Sequence, residues 1–88
     1  MKVFRVIGTT GEYDDSIEWT AKCFFEEDKA LAFVEECKTF ADWLMEADED
    51  AYPRYYNIED YREISPDKHI MVDYTGTYYQ IEELEIED

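Results

Sequence analysis

The spacing of apolar residues changes along this chain, and the changes divide its 88 residues into strand, helix and strand regions. Residues 2–7 (KVFRVI) are rich in the Val, Phe and Ile that favour β-strands. Residues 17–25 alternate between apolar and mostly polar positions, and this period of two predicts a second strand with one buried face. Its apolar side consists of Ile17, Trp19, Ala21, Cys23 and Phe25. Gly8 and Gly11 lie between the two segments, so we predict a long-looped β-hairpin over residues 1–25.

From Glu26 the apolar residues recur at intervals of three and four, as in an amphipathic α-helix. Acidic residues 26–28 fall in the first turn, where the helix dipole favours negative charge, but residues 46–50 crowd the other end, where it does not. We therefore predict a long helix that ends near Ala47. Trp43 lies off the apolar stripe and is expected to be half exposed. The stripe consists of Ala30, Phe33, Val34, Cys37, Phe40, Ala41 and Leu44.

The tyrosine-rich segment of residues 52–67 (YPRYYNIEDYREISPD) follows neither period. It is bracketed by Pro53 and Pro66. Two structures remain open for it: a helical turn over residues 54–61, or an irregular loop that crosses the fold.

The last part of the chain returns to the alternation of strands. Residues 70–74 alternate, Gly76 turns the chain, and Tyr79 and Ile81 continue on one phase. A change of phase after residues 82–83 predicts a β-bulge there. The order β-β-α-β-β predicts an α+β fold in one domain, residues 1–88, with an antiparallel sheet of about four strands and one long amphipathic helix on one face.

Charge limits the kinds of partner more strongly than it limits the fold. The chain has 24 acidic and 8 basic residues, a net charge of −16, yet its hydrophobic fraction of 45% is too high for a disordered acidic tail. This charge repels nucleic acid and anionic membranes, so we expect direct binding to neither. Any charged partner should be basic. Two cysteines and the lack of a long apolar run favour a reducing cytoplasm with free thiols.

The opening stretch GTTGEYDD raises the question of a phosphate loop, a cation loop or a turn. It matches neither dinucleotide nor P-loop spacing, contains no lysine, and leads into a strand. Glu12, Asp14 and Asp15 would repel phosphate, and the spacing of a calcium loop is missing. A turn is the favoured interpretation, and cation binding at residues 12–15 is left open.

Catalytic residues are not evident in the sequence. His69 is the one histidine, and Cys23 and Cys37 both lie at predicted core positions. Two thiols and one imidazole fall short of the four ligands of a structural zinc site. We therefore expect no enzyme activity, no metal and no cofactor. An enzyme or a small-ligand binder would need a deep pocket, for example one lined by Trp19, Tyr74 or Tyr79.

The stretch VIGTTGEYDDSIEW, followed by AKCFFEEDKALAFVEE and later by VDYTGTYY, resembles a group of small uncharacterised phage-encoded proteins with a GxTGEYxDxxEW opening. The likeness covers both terminal thirds of the chain and not residues 52–67. It implies a phage context and the cytoplasm of a host cell. It supplies no catalytic residues. The similarity to acidic phage inhibitors of the anti-CRISPR or anti-restriction type is one of charge only.

The first hypothesis is a DNA mimic, because −16 exceeds the magnitude of about 2–8 that solubility requires. Its carboxylates would occupy the basic nucleic-acid groove of a host defence or DNA-processing protein, and Trp43 would add apolar contact. The candidate carboxylates are Glu35, Glu36, Asp42, Glu46, Asp48, Glu49 and Asp50.

The second hypothesis is an acidic interaction or adaptor module without nucleic-acid mimicry. Tyrosine is enriched at protein interfaces, and four tyrosines lie within residues 52–61. On this hypothesis Tyr55, Tyr56 and Trp43 provide the contacts, and the acidity serves solubility and selectivity.

Overall fold

Three antiparallel strands form the sheet of this protein, which a computed structural model describes for residues 1–87. The central strand β1 (Lys2–Thr10) lies between β2 (Ile17–Phe24) and β3 (Thr77–Glu85). β1 and β2 form the predicted hairpin, and β1 pairs with β3 in continuous register. The first and last parts of the chain are thus joined side by side. The predicted α+β fold with an antiparallel sheet is confirmed.

The long helix α1 (Glu27–Met45) packs on one face of the sheet and is followed by a short second helix, α2 (Ile58–Tyr61). The prediction of one helix is therefore wrong, because the fold has two. The predicted end of the long helix near Ala47 is two residues beyond its observed end at Met45. A 3₁₀ turn at Arg54–Asn57 leads into α2, which confirms the helical alternative for residues 54–61. Every residue of the predicted apolar stripe is buried except Phe40, which is half-buried.

The core lies between α1 and one face of the sheet. Phe4 and Val6 of β1 and Tyr79 of β3 contribute from the sheet, and Ile70 closes the core from the connection before β3. On the opposite face, Val3 and Ile7 are also buried, although both lie outside the cluster of residues that packs under α1. Between them in β1, Arg5 bonds to Thr20 (Nε to Oγ1, 2.7 Å) and Glu82 (Nη1 to Oε1, 3.1 Å).

Residues 70–74 do not form the fourth strand that their alternation predicted. Ile70 is fully buried, but the backbone of the segment bonds to side chains rather than to another strand. The Ile70 carbonyl accepts a hydrogen bond from Arg62 Nε (2.9 Å), and the Met71 carbonyl accepts one from the Thr77 hydroxyl (2.6 Å). Of the predicted apolar side, Ile70 is buried, Val72 is half-buried and Tyr74 is exposed, so the alternation corresponds to neither a strand nor a buried side.

The β-bulge lies in β2, and the bulge predicted at residues 82–83 is wrong. Val6 pairs with Lys22 and Ile7 with Thr20, so Ala21 is the extra residue opposite β1. The bulge reverses the phase of the strand beyond it. Of the side predicted to be buried, Trp19 and Ala21 are half-buried, whereas Phe24, which was predicted on the other side, packs against the core. Three residues of the predicted apolar side are instead exposed: Ile17, Cys23 and Phe25.

The opening stretch contains the end of β1, residues 8–10, and the turn that leads to β2. Gly8 has no Cβ where the indole of Trp19 crosses β1, and Gly11 has a φ of 93° that favours glycine. The Thr10 hydroxyl donates to the Gly76 carbonyl (2.7 Å), which ties the loop to the turn before β3. The Asp73 carboxylate accepts hydrogen bonds from the backbone N–H and the hydroxyl of Thr75, and bonding by Thr75 lowers the pKa of Asp73.

Candidate functional site

The seven predicted carboxylates lie along α1 and in the turn that follows it, and we call this set the acidic strip. Glu35 on α1 and Glu46, the residue directly after α1, are eleven residues apart in the chain, which corresponds to about 16 Å along a helix axis. All members are exposed except Asp48, which is half-buried. The members are Glu35, Glu36, Asp42, Glu46, Asp48, Glu49 and Asp50.

Two members of the acidic strip have basic neighbours. Glu35 lies 4.0 Å from Lys38, and Glu46 lies 3.6 Å from Arg54. Within residues 1–87, the other members form no ion pair. Exposed ion pairs are weak, about 0–1 kcal/mol, so Glu35 and Glu46 remain available to an external cation. Most of the negative charge on the strip is uncompensated within the described chain.

Asp48 has a structural role as well as a charge. Its Oδ1 accepts hydrogen bonds from the backbone N–H groups of Asp50 (2.9 Å) and Tyr52 (3.1 Å). These bonds close the turn after α1, in which Ala51 has a φ of 65°. The turn holds Glu49 and Asp50 in a defined position. This part of the strip is thus built into the fold and is not a loose tail.

The acids of β3 differ from those of the strip because several are compensated by the neighbouring strand. Glu82 lies 3.1 Å from Arg5, Glu83 lies 3.3 Å from Lys2, and Glu85 lies 3.2 Å from the N-terminal amine. These pairs join β3 to the basic end of the chain. Among the described residues, the sheet therefore offers a basic partner fewer free carboxylates than the side of the molecule that carries α1.

Trp43 is half-buried, as predicted, and three side chains hold its ring. The Arg54 guanidinium lies 4.5 Å from the ring centroid, Tyr61 meets the ring edge-on at 5.1 Å, and Phe40 lies at 5.5 Å. Arg54 also donates to the Trp43 carbonyl (3.0 Å). Such contacts fix the ring position. The indole is therefore a rigid contact surface.

An open groove of about 660 Å³ lies between α1 and the segment after α2. Its floor is apolar, and Ile64 is 65% exposed there. Glu35 and Glu36 stand at its side, so we call it the acidic-rimmed groove. The remaining lining residues come from two turns of α1 and from the segment 64–66. They are Thr39, Phe40, Trp43 and Pro66.

The tyrosines predicted to contact a partner form a separate surface. Tyr52 and Tyr56 are 62% and 65% exposed, with ring centroids 6.1 Å apart. Tyr55 is half-buried and lies against Tyr56 at 4.8 Å. A shallow depression of about 400 Å³ is lined by Tyr52 and Tyr56 together with Asp48, Asp50 and Asn57. We call it the tyrosine surface.

Six of the ten candidate residues line one of these two places, and Tyr55 lies beside the second against Tyr56. Glu35, Glu36 and Trp43 line the acidic-rimmed groove, whereas Asp48, Asp50 and Tyr56 line the tyrosine surface. Asp42, Glu46 and Glu49 are exposed but line neither. Sequence reasoning missed Ile64 and Pro66. The one sequence feature that could have indicated them is that Ile64 belongs to no periodic apolar pattern and lies two residues before a proline.

A buried carboxylate joins the sheet to the connection before β3. Asp67 Oδ2 accepts hydrogen bonds from Trp19 Nε1 (2.8 Å) and from the Tyr79 hydroxyl (2.9 Å). Its Oδ1 accepts one from the backbone N–H of His69 (2.9 Å). Burial, and then the nearby Asp67 charge, raise the pKa of Tyr79, so its hydroxyl stays a donor. We call this the Asp67 network.

The two cysteines lie in different surroundings. Burial raises the pKa of Cys37 to about 12, so its thiol is protonated at neutral pH. Cys23 is exposed, and therefore the two cysteines do not meet in the core. Within residues 1–87, no three His, Cys, Asp or Glu side chains are placed to hold a metal ion. Neither described helix has the length and apolar character needed to cross a membrane.

Comparison with protein-family models, with curated proteins and with solved structures gave no match. The function is therefore inferred from the residues and their geometry.

Proposed function

We propose that this protein is a small acidic inhibitor that mimics DNA and occupies the basic nucleic-acid groove of a partner protein. The observation that carries the proposal is the acidic strip, which holds five carboxylates without an ion pair in the described chain. Arg and Lys side chains that normally bind phosphates would pair with these carboxylates. Binding would be stoichiometric and would block entry of the nucleic acid.

The charge density of the molecule supports this proposal. A net charge of −16 along a longest dimension of 52 Å gives about one negative charge every 3 Å. One DNA strand carries a charge about every 3.4 Å, and the duplex about every 1.7 Å. The protein thus has about half the linear charge density of duplex DNA. Opposite charge would speed its association with a basic groove, and added salt would weaken the complex.

The resemblance of VIGTTGEYDDSIEW, AKCFFEEDKALAFVEE and VDYTGTYY to phage-encoded proteins implies a phage context. The partner that we propose on this basis is a host defence or DNA-processing protein in the cytoplasm of a host cell. The proposal involves no catalysis and no cofactor. The protein itself would bind neither nucleic acid nor membrane directly, because its charge repels both.

Neutralising the acidic strip tests the proposal. The partner is first captured from a bacterial lysate at low salt, and its affinity is then measured by surface plasmon resonance. We expect Glu36→Gln/Asp42→Asn to weaken binding about threefold to tenfold, since each lost pair contributes up to about 1 kcal/mol. Adding Glu49→Gln/Asp50→Asn should weaken it further by a similar factor.

The matched control is Glu82→Gln/Glu83→Gln, which removes the same charge from β3, where both side chains are already paired. We expect its affinity to stay within about twofold of the wild type, because these carboxylates are exposed and compensated. Equal losses from both pairs would show that only total charge matters, which would contradict a role for the strip.

A second candidate function is an adaptor that binds through the tyrosine surface. Its support is the cluster of two exposed tyrosines beside Asp48 and Asp50. Tyrosines at the centre of an interface often contribute most of the binding energy. The variant Tyr52→Ser/Tyr56→Ser separates the two functions. A loss of more than tenfold here, with little effect of strip neutralisation, would favour the adaptor.

A further inference from the structure

We infer that the acidic-rimmed groove is a docking site for a basic segment of the partner protein that carries one or two large apolar side chains. The inference rests on the proposed function, because it assumes that the partner surface is basic, and it adds what that surface must contain. The apolar side chains would enter the groove between α1 and the segment 64–66. Lys or Arg residues beside them would pair with Glu35 and Glu36.

The composition and volume of the groove are those of a binding site. Phe40, Trp43, Ile64 and Pro66 provide an apolar floor, and an isoleucine that is 65% exposed on it is costly to leave in water. Ligand sites in proteins have volumes of about 300–1,000 Å³ and are mostly apolar with a few polar groups. A groove of about 660 Å³ falls within this range. It is open along α1, as a site for a peptide segment must be.

Both sides of the groove are held in place by the fold. On one side, Trp43 is held by Arg54 and Tyr61. On the other side, Pro66 lies between Ser65 and Asp67, which are both 1% exposed, and the Asp67 network ties this segment to β2 and β3. A preformed site avoids the free-energy cost of ordering its walls on binding.

Charge selects the occupant. Glu36 has no ion-pair partner within residues 1–87, and Glu35 has only an exposed contact with Lys38 at 4.0 Å. An acidic or phosphorylated segment would be repelled. A second copy of the chain, with its own charge of −16, would be repelled as well. A cationic segment with an apolar anchor is complementary to both the rim and the floor.

The probes are three synthetic 12-residue peptides, titrated into the ¹⁵N-labelled full chain and followed by NMR. The first carries two leucines four residues apart, flanked by six lysines. The second has both leucines replaced by alanine. The third keeps the leucines and replaces the lysines by glutamate. We expect the first peptide to shift the amides of residues 35–43 and 64–66, and to bind at least about tenfold more tightly than the second. The third should not bind.

A matched pair of variants locates the contact without disturbing the core. Ile64→Gln and Leu31→Gln make the same kind of change at exposed aliphatic residues, 65% and 51% exposed, and only Ile64 lines the groove. We expect Ile64→Gln to weaken the first peptide about fivefold and Leu31→Gln to leave it within twofold. Glu36→Gln should also weaken binding of the first peptide, whereas Glu27→Gln on the first turn of α1 should not.

Several outcomes would overturn the inference. These are equal binding of the leucine and alanine peptides, shifts centred on the tyrosine surface or on the sheet face of Val3 and Ile7, and equal effects of the two glutamine variants. Groove shifts that depend on protein concentration without peptide would indicate a second copy and would also overturn it. Equal, salt-sensitive binding of the two lysine peptides would leave the DNA-mimic proposal standing. Binding of the leucine peptide in the groove without competition between DNA and this protein at the partner would refute only DNA mimicry.

Discussion

Replacing Asp67 by asparagine is expected to lower the free energy of unfolding by about 3 kcal/mol, a large part of the 5–15 kcal/mol typical of a domain. The reason is the number of donors that one buried carboxylate serves. Trp19 and Tyr79 donate to Oδ2, and the His69 N–H donates to Oδ1. Within the described residues, no lysine or arginine pairs with this carboxylate, so hydrogen bonds alone stabilise its charge.

An asparagine side chain has one acceptor oxygen and cannot serve both sides of the Asp67 network. If the amide oxygen faces Trp19 and Tyr79, its NH₂ group faces the His69 N–H, and this partly buried donor is left unsatisfied. The opposite orientation leaves two. An unsatisfied buried donor costs about 1–3 kcal/mol, and the remaining bonds lose the contribution of the charge.

Urea denaturation of wild type and Asp67→Asn measures this effect. Asp60→Asn is the matched control, because Asp60 is exposed on α2 and its replacement should change stability by less than about 0.5 kcal/mol. Equal stability of Asp67→Asn and wild type would show that the network does not hold the connection before β3.

Gly8→Ala is the second large effect, an expected loss of about 3 kcal/mol. A Cβ at this position would overlap Cε2 and Cζ2 of the Trp19 indole. The ring cannot move freely, because its N–H bonds to Asp67 and it meets Tyr79 edge-on at 6.4 Å. Strand propensity alone predicts the opposite sign, since glycine is less favourable than alanine in a strand interior by roughly 0.5–1 kcal/mol.

A double-mutant cycle isolates the steric cause of the Gly8 effect. In a Trp19→Ala background, the Cβ of alanine at position 8 no longer meets the indole, so we expect Gly8→Ala to be neutral or slightly stabilising. Thermal or urea unfolding of the four proteins gives the coupling energy. The same large loss in both backgrounds would refute the explanation and would indicate a backbone requirement at position 8.

The amphipathic helix was predicted well because its signal is local and repeated. The stripe from Ala30 to Leu44 recurs over four turns, and burial of the whole stripe requires only one face to pack on the sheet. The strands were harder. The extra residue Ala21 changes which side of β2 faces the core. The sequence of β2 alone does not specify its register with β1, so the position of this bulge could not be predicted.

The missing fourth strand has a related cause. Ile70 and Val72 alternate with less apolar residues, but alternation does not say whether a strand lies alongside. In the structure, the side chains of Arg62 and Thr77 bond to the carbonyls of this segment. Arg62 lies eight positions from the carbonyl that it bonds, and Thr77 lies six positions from its own. Strand propensities within residues 70–74 therefore cannot predict these hydrogen bonds.

Part of the candidate site could be predicted and part could not. The carboxylates of the strip are visible in the sequence, because charge on a helix face follows directly from spacing. The acidic-rimmed groove was not predicted, because Ile64 and Pro66 meet α1 only after residues 46–63 have turned back against the helix. The charge of the site therefore follows from the secondary structure, whereas its apolar floor follows from the tertiary structure.

The central claim is that fixed carboxylates compete with nucleic acid for one basic groove, and competition at the partner tests it most directly. The captured partner is loaded with this protein and titrated with duplex DNA at constant ionic strength, and the reverse titration is performed on the partner–DNA complex. The account predicts that each ligand displaces the other completely and saturably, with no species that contains both. A stable ternary complex of partner, DNA and this protein would contradict it.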